Sequence, residues 1–172
     1  LFNALGVSPF ESRSEQLLTT FSIKKEDLLH SYLSARPELN SEEAAATMIA
    51  DMWFRVPTIR IAEGHTVRSK AKTYMYLFTW ESQFLGATHA MDGVVFGNGA
   101  PFGLLAGFNS TEKVSQQMRK SWINFAKYGD PSFEGFRWPE YDQTQRFTAS
   151  INDSFSLLTD PYSKQRALIE PV

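Results

Sequence analysis

The stretch "FLGATHAMDGVVFGNG", residues 84–99, sets a histidine between a small-residue turn and an apolar run ending in glycines. An imidazole titrates near neutral pH and can accept and return a proton there, so His89 is a candidate general base. Gly86 and Ala87 beside it allow close backbone approach. A hydrogen-bonded loop histidine with no part in chemistry satisfies the same residues, and both readings stand at this point. No activated nucleophile accompanies the base. None of the ten glycines begins a G-x-S-x-G elbow, and HGGG-type, H-E-x-x-H and glycine-rich phosphate-loop patterns are absent. The other two histidines offer less: His30 falls on the polar side of an expected helix, and His65 reads as structural or exposed.

Several elements must position His89. It follows "AKTYMYLFTW", whose nearly unbroken apolar and aromatic run over 73–80 predicts a strand covered on both faces. Open α/β sheets carry catalytic groups just beyond the carboxyl ends of their strands. Upstream, "SIKKEDLLHSYLSARPELN" gathers Leu28, Leu29, Tyr32 and Leu33 on one side and predicts a helix ending before Pro37. In "NSEEAAATMIADMWFRVP", Asn40 with Glu43 has the form of a capping box, and Ala45, Met48, Ile49, Met52, Trp53 and Val56 mark an apolar face. Pro57 stops that helix or opens the next, over "PTIRIAEGHTVRSK". Downstream, Asn109 and Glu112 repeat the capping signature. Val114, Met118, Ser121, Trp122, Phe125 and Ala126 form a helical stripe, which Gly129 and Pro131 terminate. "QRFTASI" and "SFSLLTD" flank Asn152-Asp153 as a small β-hairpin, and "YSKQRALIE" predicts a terminal helix. This order is that of the trailing part of an α/β sheet protein.

Composition removes several classes of function. The 172 residues are 42% hydrophobic and 14% aromatic, which argues for extensive burial in one domain or in part of a larger one. A net charge of −2 with no basic block leaves no footprint for nucleic acid. No apolar run approaches the roughly 20 residues of a membrane span, and no signal-peptide pattern is visible. The absence of cysteine excludes a disulfide framework and thiolate metal sites, and it leans toward a reducing, cytoplasmic compartment without deciding it. Leu1 opens the chain inside what reads as a structured segment, so a fragment of a longer protein is expected.

"RVPTIRIAE", "TYMYLFTWES", "GATHAMDGVVFGN", "WINFAKYGDPS" and "WPEYD", in that order, resemble the last third of type-B carboxylesterases, the para-nitrobenzyl esterase and cholinesterase-like group. The resemblance runs over residues 40 to 160. It implies the C-terminal part of an α/β-hydrolase fold, with helices packed on a partial sheet and a small terminal β-hairpin. It also implies hydrolysis of carboxylic esters by a Ser–Glu/Asp–His triad, with no cofactor and no metal. His89 matches the family's catalytic histidine. Asp92 matches the acidic residue three positions later, taken as support for the loop. "D-x-x-F-x-x-P", Asp51 to Pro57, matches the helix beside the acyl pocket, so Phe54 is a candidate pocket wall, and Leu85 and Thr88 are candidate substrate contacts. Core packing is the competing reading for these three, and Trp122, Phe125 and Trp138 are assigned to packing outright. From His89 to Phe96-Gly97 the chain is one residue shorter than the family pattern, with Gly93 in the gap, so an altered loop is expected after the histidine.

Because the triad order is Ser, acid, His, the resemblance implies that serine and acid lie upstream of Leu1. Residues 1–172 are then a single C-terminal fragment, expected to be inactive alone. Its partners would be the ester substrate of the parent enzyme and either the N-terminal remainder of the same protein or a second copy. A strand as apolar as 73–80 would otherwise expose its edge and face. A non-catalytic cholinesterase-like adhesion or binding protein, or a self-associating interaction module, are the alternatives.

Overall fold

A computed structural model describes residues 16, 18, 19, 24–83, 86, 90–97 and 111–169, which fall into two compact units. The first unit runs to Ile61 and resumes at Tyr162; the second covers Ala62–Pro161.

In the first unit, helix α1 (Lys25–Ala35) ends ahead of Pro37, as its leucine spacing predicts. Helix α2 (Ser41–Ala50) begins with the expected capping box. Asn40 Oδ1 accepts from the N–H groups of Glu42 and Glu43, both at 2.9 Å, and Glu43 Oε2 accepts from Asn40 N–H at 2.9 Å. Leu18, Leu28, Tyr32, Ala44 and Met48 form the buried core, with Leu168 and Ile169 of the terminal helix α6 (Ser163–Ile169) packed against it. The fully buried line of α2 is therefore Ala44–Met48, and Ala45, Ile49, Met52 and Trp53 are only half-buried. Between α2 and α3 (Val56–Arg68), residues Asp51–Arg55 make a π-helical turn, with Val56 N–H reaching back to Asp51 O. Pro57 has no N–H to donate to the carbonyl four residues before it. The widened turn removes that demand, and Pro57 opens α3 rather than closing the previous helix.

In the second unit, β1 (Met75–Phe78), β2 (Phe147–Ile151) and β3 (Phe155–Thr159) form one three-stranded sheet in that order. β2 and β3 are the expected antiparallel hairpin. The hairpin is not separate from the buried strand, because β2 pairs parallel with β1, Tyr76 opposite Ala149 and Phe78 opposite Ile151. Regular pairing covers less than 73–80, although Thr79 N–H extends it to Ile151 O at 2.8 Å. Alternation puts Tyr74, Tyr76, Phe78 and Trp80 on one face. Phe78 and Trp80 join the core with Met91 and Val95 of helix α4 (Met91–Phe96), Val114 and Met118 of helix α5 (Glu112–Tyr128), and Ile151. Tyr76 is 38% exposed, so β1 is not covered throughout.

The stripe on α5 is buried at Val114, Ser115, Met118 and Ser121. Its N-cap position is Thr111, not Asn109, which lies outside the described residues. Gly129 closes the helix in the left-handed region at φ 69°, donating to Phe125 O at 2.8 Å. This is the conformation for which glycine carries no Cβ penalty. Phe125, assigned to packing, is 48% exposed.

Candidate functional site

The segment carrying the histidine is anchored on both sides. Upstream, Ser82 and Gly86 form an isolated antiparallel bridge, their two N–H···O bonds 3.1 and 2.9 Å long, with Gly86 at φ 64°. Downstream, Ala90 enters α4 with φ 66°, a left-handed conformation that costs a non-glycine residue roughly 1–2 kcal/mol. Leu85, Thr88 and His89 lie outside the described residues.

Asp92 is the acidic group that the structure does describe. Its Oδ1 accepts from Gly93 N–H at 2.9 Å, and its Oδ2 accepts from Tyr76 Oη at 3.2 Å. The second bond ties the first turn of α4 to the middle of β1. Burial pushes the Tyr76 phenol above its ordinary pKa, and the charge and hydrogen bond of Asp92 push it the same way, so it stays a donor. The far end of α4 is held by Ser115 Oγ, which donates to Phe96 O at 2.9 Å. Sequence reading missed Tyr76, whose role rests on a contact across sixteen positions.

In the first unit, the D-x-x-F-x-x-P stretch has a structural task. Arg55 grips Asp51 with two hydrogen bonds of 2.6 Å, and Tyr32 Oη donates to Asp51 Oδ2 at 2.8 Å. Asp51 is buried, and the guanidiniums of Arg36 and Arg55 lie 5.1 and 5.5 Å from the Tyr162 ring centroid. Burial raises the Tyr32 phenol far above its usual value, with the Asp51 charge adding to the shift. Phe54, between these partners in sequence, is 50% exposed. The signal for the pair was present as an acid and a base four positions apart.

A cleft of about 190 Å³ opens beside the start of β1, walled by Tyr74, Tyr76, Trp122, Phe125 and Trp138, with Ser121 also lining it. Its rings meet edge to face: Tyr74 with Phe125 at 5.8 Å, Tyr76 with Trp122 at 5.4 Å, and Trp122 with Trp138 at 6.4 Å.

The family model described as "Carboxylesterase family" matches residues 10–168. The chain is 30% identical over 138 residues to para-nitrobenzyl esterase of Bacillus subtilis (strain 168), covering 76% of this chain and 28% of that protein. It is 34% identical over 122 residues to human bile salt-activated lipase, covering 66% of this chain and 16% of the lipase. Among solved structures, a carboxylesterase of Geobacillus stearothermophilus superposes with a TM-score of 0.74 at 20% identity, covering 94% of this chain and 35% of that one. A thermophilic PNB esterase gives 0.73 at 23% identity, covering 95% and 34%. The chain belongs to the carboxylesterase family, in its type-B group, and has the fold of part of an α/β-hydrolase. It spans about a third or less of the length of these relatives. Among the described residues, no helix is long and apolar enough to cross a membrane.

Proposed function

We propose that this chain is the histidine-bearing C-terminal portion of a serine carboxylesterase, with His89 as the general base and acid of the triad. The observation that carries this reading is the family match over residues 10–168, which contains "GATHAMD" but no serine elbow. His89 takes the proton from the serine as it attacks the ester carbonyl and delivers it to the leaving alkoxide. The roles reverse with water during deacylation. The triad carboxylate holds one imidazole tautomer and stabilises the imidazolium. Asp92, fixed by Tyr76, supports the loop that returns from His89 to α4. Leu85 and Thr88 contact substrate beside the histidine, and Phe54 contributes a wall to the acyl pocket. The serine and the acid come from sequence outside these 172 residues, and the chain acts together with the polypeptide that supplies them.

The test is hydrolysis of a short-chain p-nitrophenyl ester by the complete gene product. His89→Ala should lower kcat by at least about a thousandfold with circular dichroism unchanged. Residues 1–172 alone should show no turnover above buffer. A complete product with an elbow lacking serine, or with activity indifferent to His89→Ala, would overturn the proposal.

A further inference from the structure

Helix α4 begins at Met91, two positions after His89, so its seating governs where the preceding residues stand. The helix has six residues and no side-chain cap at Ala90. Met91 and Val95 bury it in the core with Trp80, Val114, Met118 and Ile151. Burial of this kind is strong but non-directional, and alone it leaves a short helix free to turn on its support. Hydrogen bonds fix direction, because they weaken steeply away from their preferred angle. At the far end of α4, Ser115 Oγ donates to Phe96 O at 2.9 Å. At the near end, Tyr76 Oη donates to Asp92 Oδ2 at 3.2 Å, a bond assisted by the carboxylate charge.

Tyr76 is itself held in place. Its backbone stands opposite Ala149 of β2, and its ring meets Trp122 of α5 edge to face at 5.4 Å. The same Trp122 meets Phe96 at 5.9 Å, so Tyr76, Asp92, Phe96 and Trp122 close a circuit through β1, α4 and α5. Tyr76 is 38% exposed and Asp92 is half-buried, so water can reach both groups and the fold does not need this bond to satisfy them. What the bond adds is direction. We propose that Tyr76 is a positioning residue for ester hydrolysis: through Asp92 it sets how α4 leaves the core, and with it the imidazole carried three residues before that carboxylate. The proposal rests on the reading of His89 as the triad base.

The test is hydrolysis of a short-chain p-nitrophenyl ester by the complete gene product. A misplacement of about 1 Å can cost about a hundredfold in rate, and α4 released at one end keeps its other anchors, so a loss of about tenfold is expected. Tyr76→Phe, which deletes one oxygen, should lower kcat by that amount and leave KM within about twofold, with circular dichroism unchanged. A bond that served stability alone would lower the melting temperature and leave kcat of the folded protein as it was. Asp92→Ala breaks the same bond from the other side and should cost at least as much. In the double variant the Tyr76 change should add nothing, since its partner is already gone. An unchanged kcat in Tyr76→Phe, a loss carried by KM, or losses that multiply in the double variant would each overturn the proposal. His89→Ala separates the two levels. If it disables the enzyme while Tyr76→Phe does not, the positioning role alone falls; if activity is indifferent to His89→Ala, both fall.

Discussion

The two units solve burial with different chemistry. The one built around Met48 places a carboxylate in its interior and surrounds it with Arg55 and Tyr32. The one built around Met118 centres on apolar side chains flanked by ring pairs at Trp122, Trp138 and Phe155, with buried hydroxyls at Ser115 and Ser121 and its own ion pair, Arg146 with Glu63, lying nearer the surface. An ion pair taken from water holds only while every partner is present, since an orphaned buried charge is costly. Ring contacts are worth about 0.5–1.5 kcal/mol each beyond their burial, and their loss is spread over many neighbours. The first unit is thus exposed to single deletions at one point, and the second tolerates small changes at its margin, where the cleft lies.

This contrast can be broken experimentally, with hydrogen exchange read separately in peptides from each unit. Asp51→Ala should destabilise the first unit by about 3–5 kcal/mol, because it takes the buried carboxylate from both the half-buried Arg55 guanidinium and Tyr32 Oη. A small effect would mean that water reaches that charge. Met118→Ala should cost the second unit about 2–5 kcal/mol through the cavity it opens, with protection in α1 and α2 as the control.

Tyr32→Phe should cost about 1.5–3 kcal/mol at neutral pH, the range for a hydrogen bond to a charged group. It also carries a signature in pH. The folded Tyr32 phenol titrates above its unfolded value near 10, so the folded state binds more protons above that pH. Its contribution is complete below about pH 10 and declines above it, by up to about 1.4 kcal/mol per pH unit. Denaturation from pH 8 to 11 should show the decline in the native chain and a shallower one in Tyr32→Phe. Ala90→Gly should produce the smallest change, a gain of about 1 kcal/mol from relief of the left-handed alanine. An unchanged melting temperature would mean that the residue is not strained.

Local pattern determined α1, α2, α3, α5 and α6, the capping box at Asn40, the stop at Gly129 and the β2–β3 hairpin, because each depends on residues within a few positions of one another, whereas the short helix α4 was read as loop. It also singled out "GATHAMD", since a motif is a matter of order and spacing alone. It set the cap of α5 at Asn109, whereas the N-cap is Thr111, and it assigned to packing Phe125, which meets the Tyr74 ring edge to face while staying 48% exposed. Only the tertiary structure decided that β2 lies parallel to β1, that Tyr76 holds Asp92, and that Tyr32 completes the pair of Asp51 and Arg55. These contacts join residues from sixteen to more than seventy positions apart. Closing such loops is favourable only when the whole core forms, so no short window of residues can encode it.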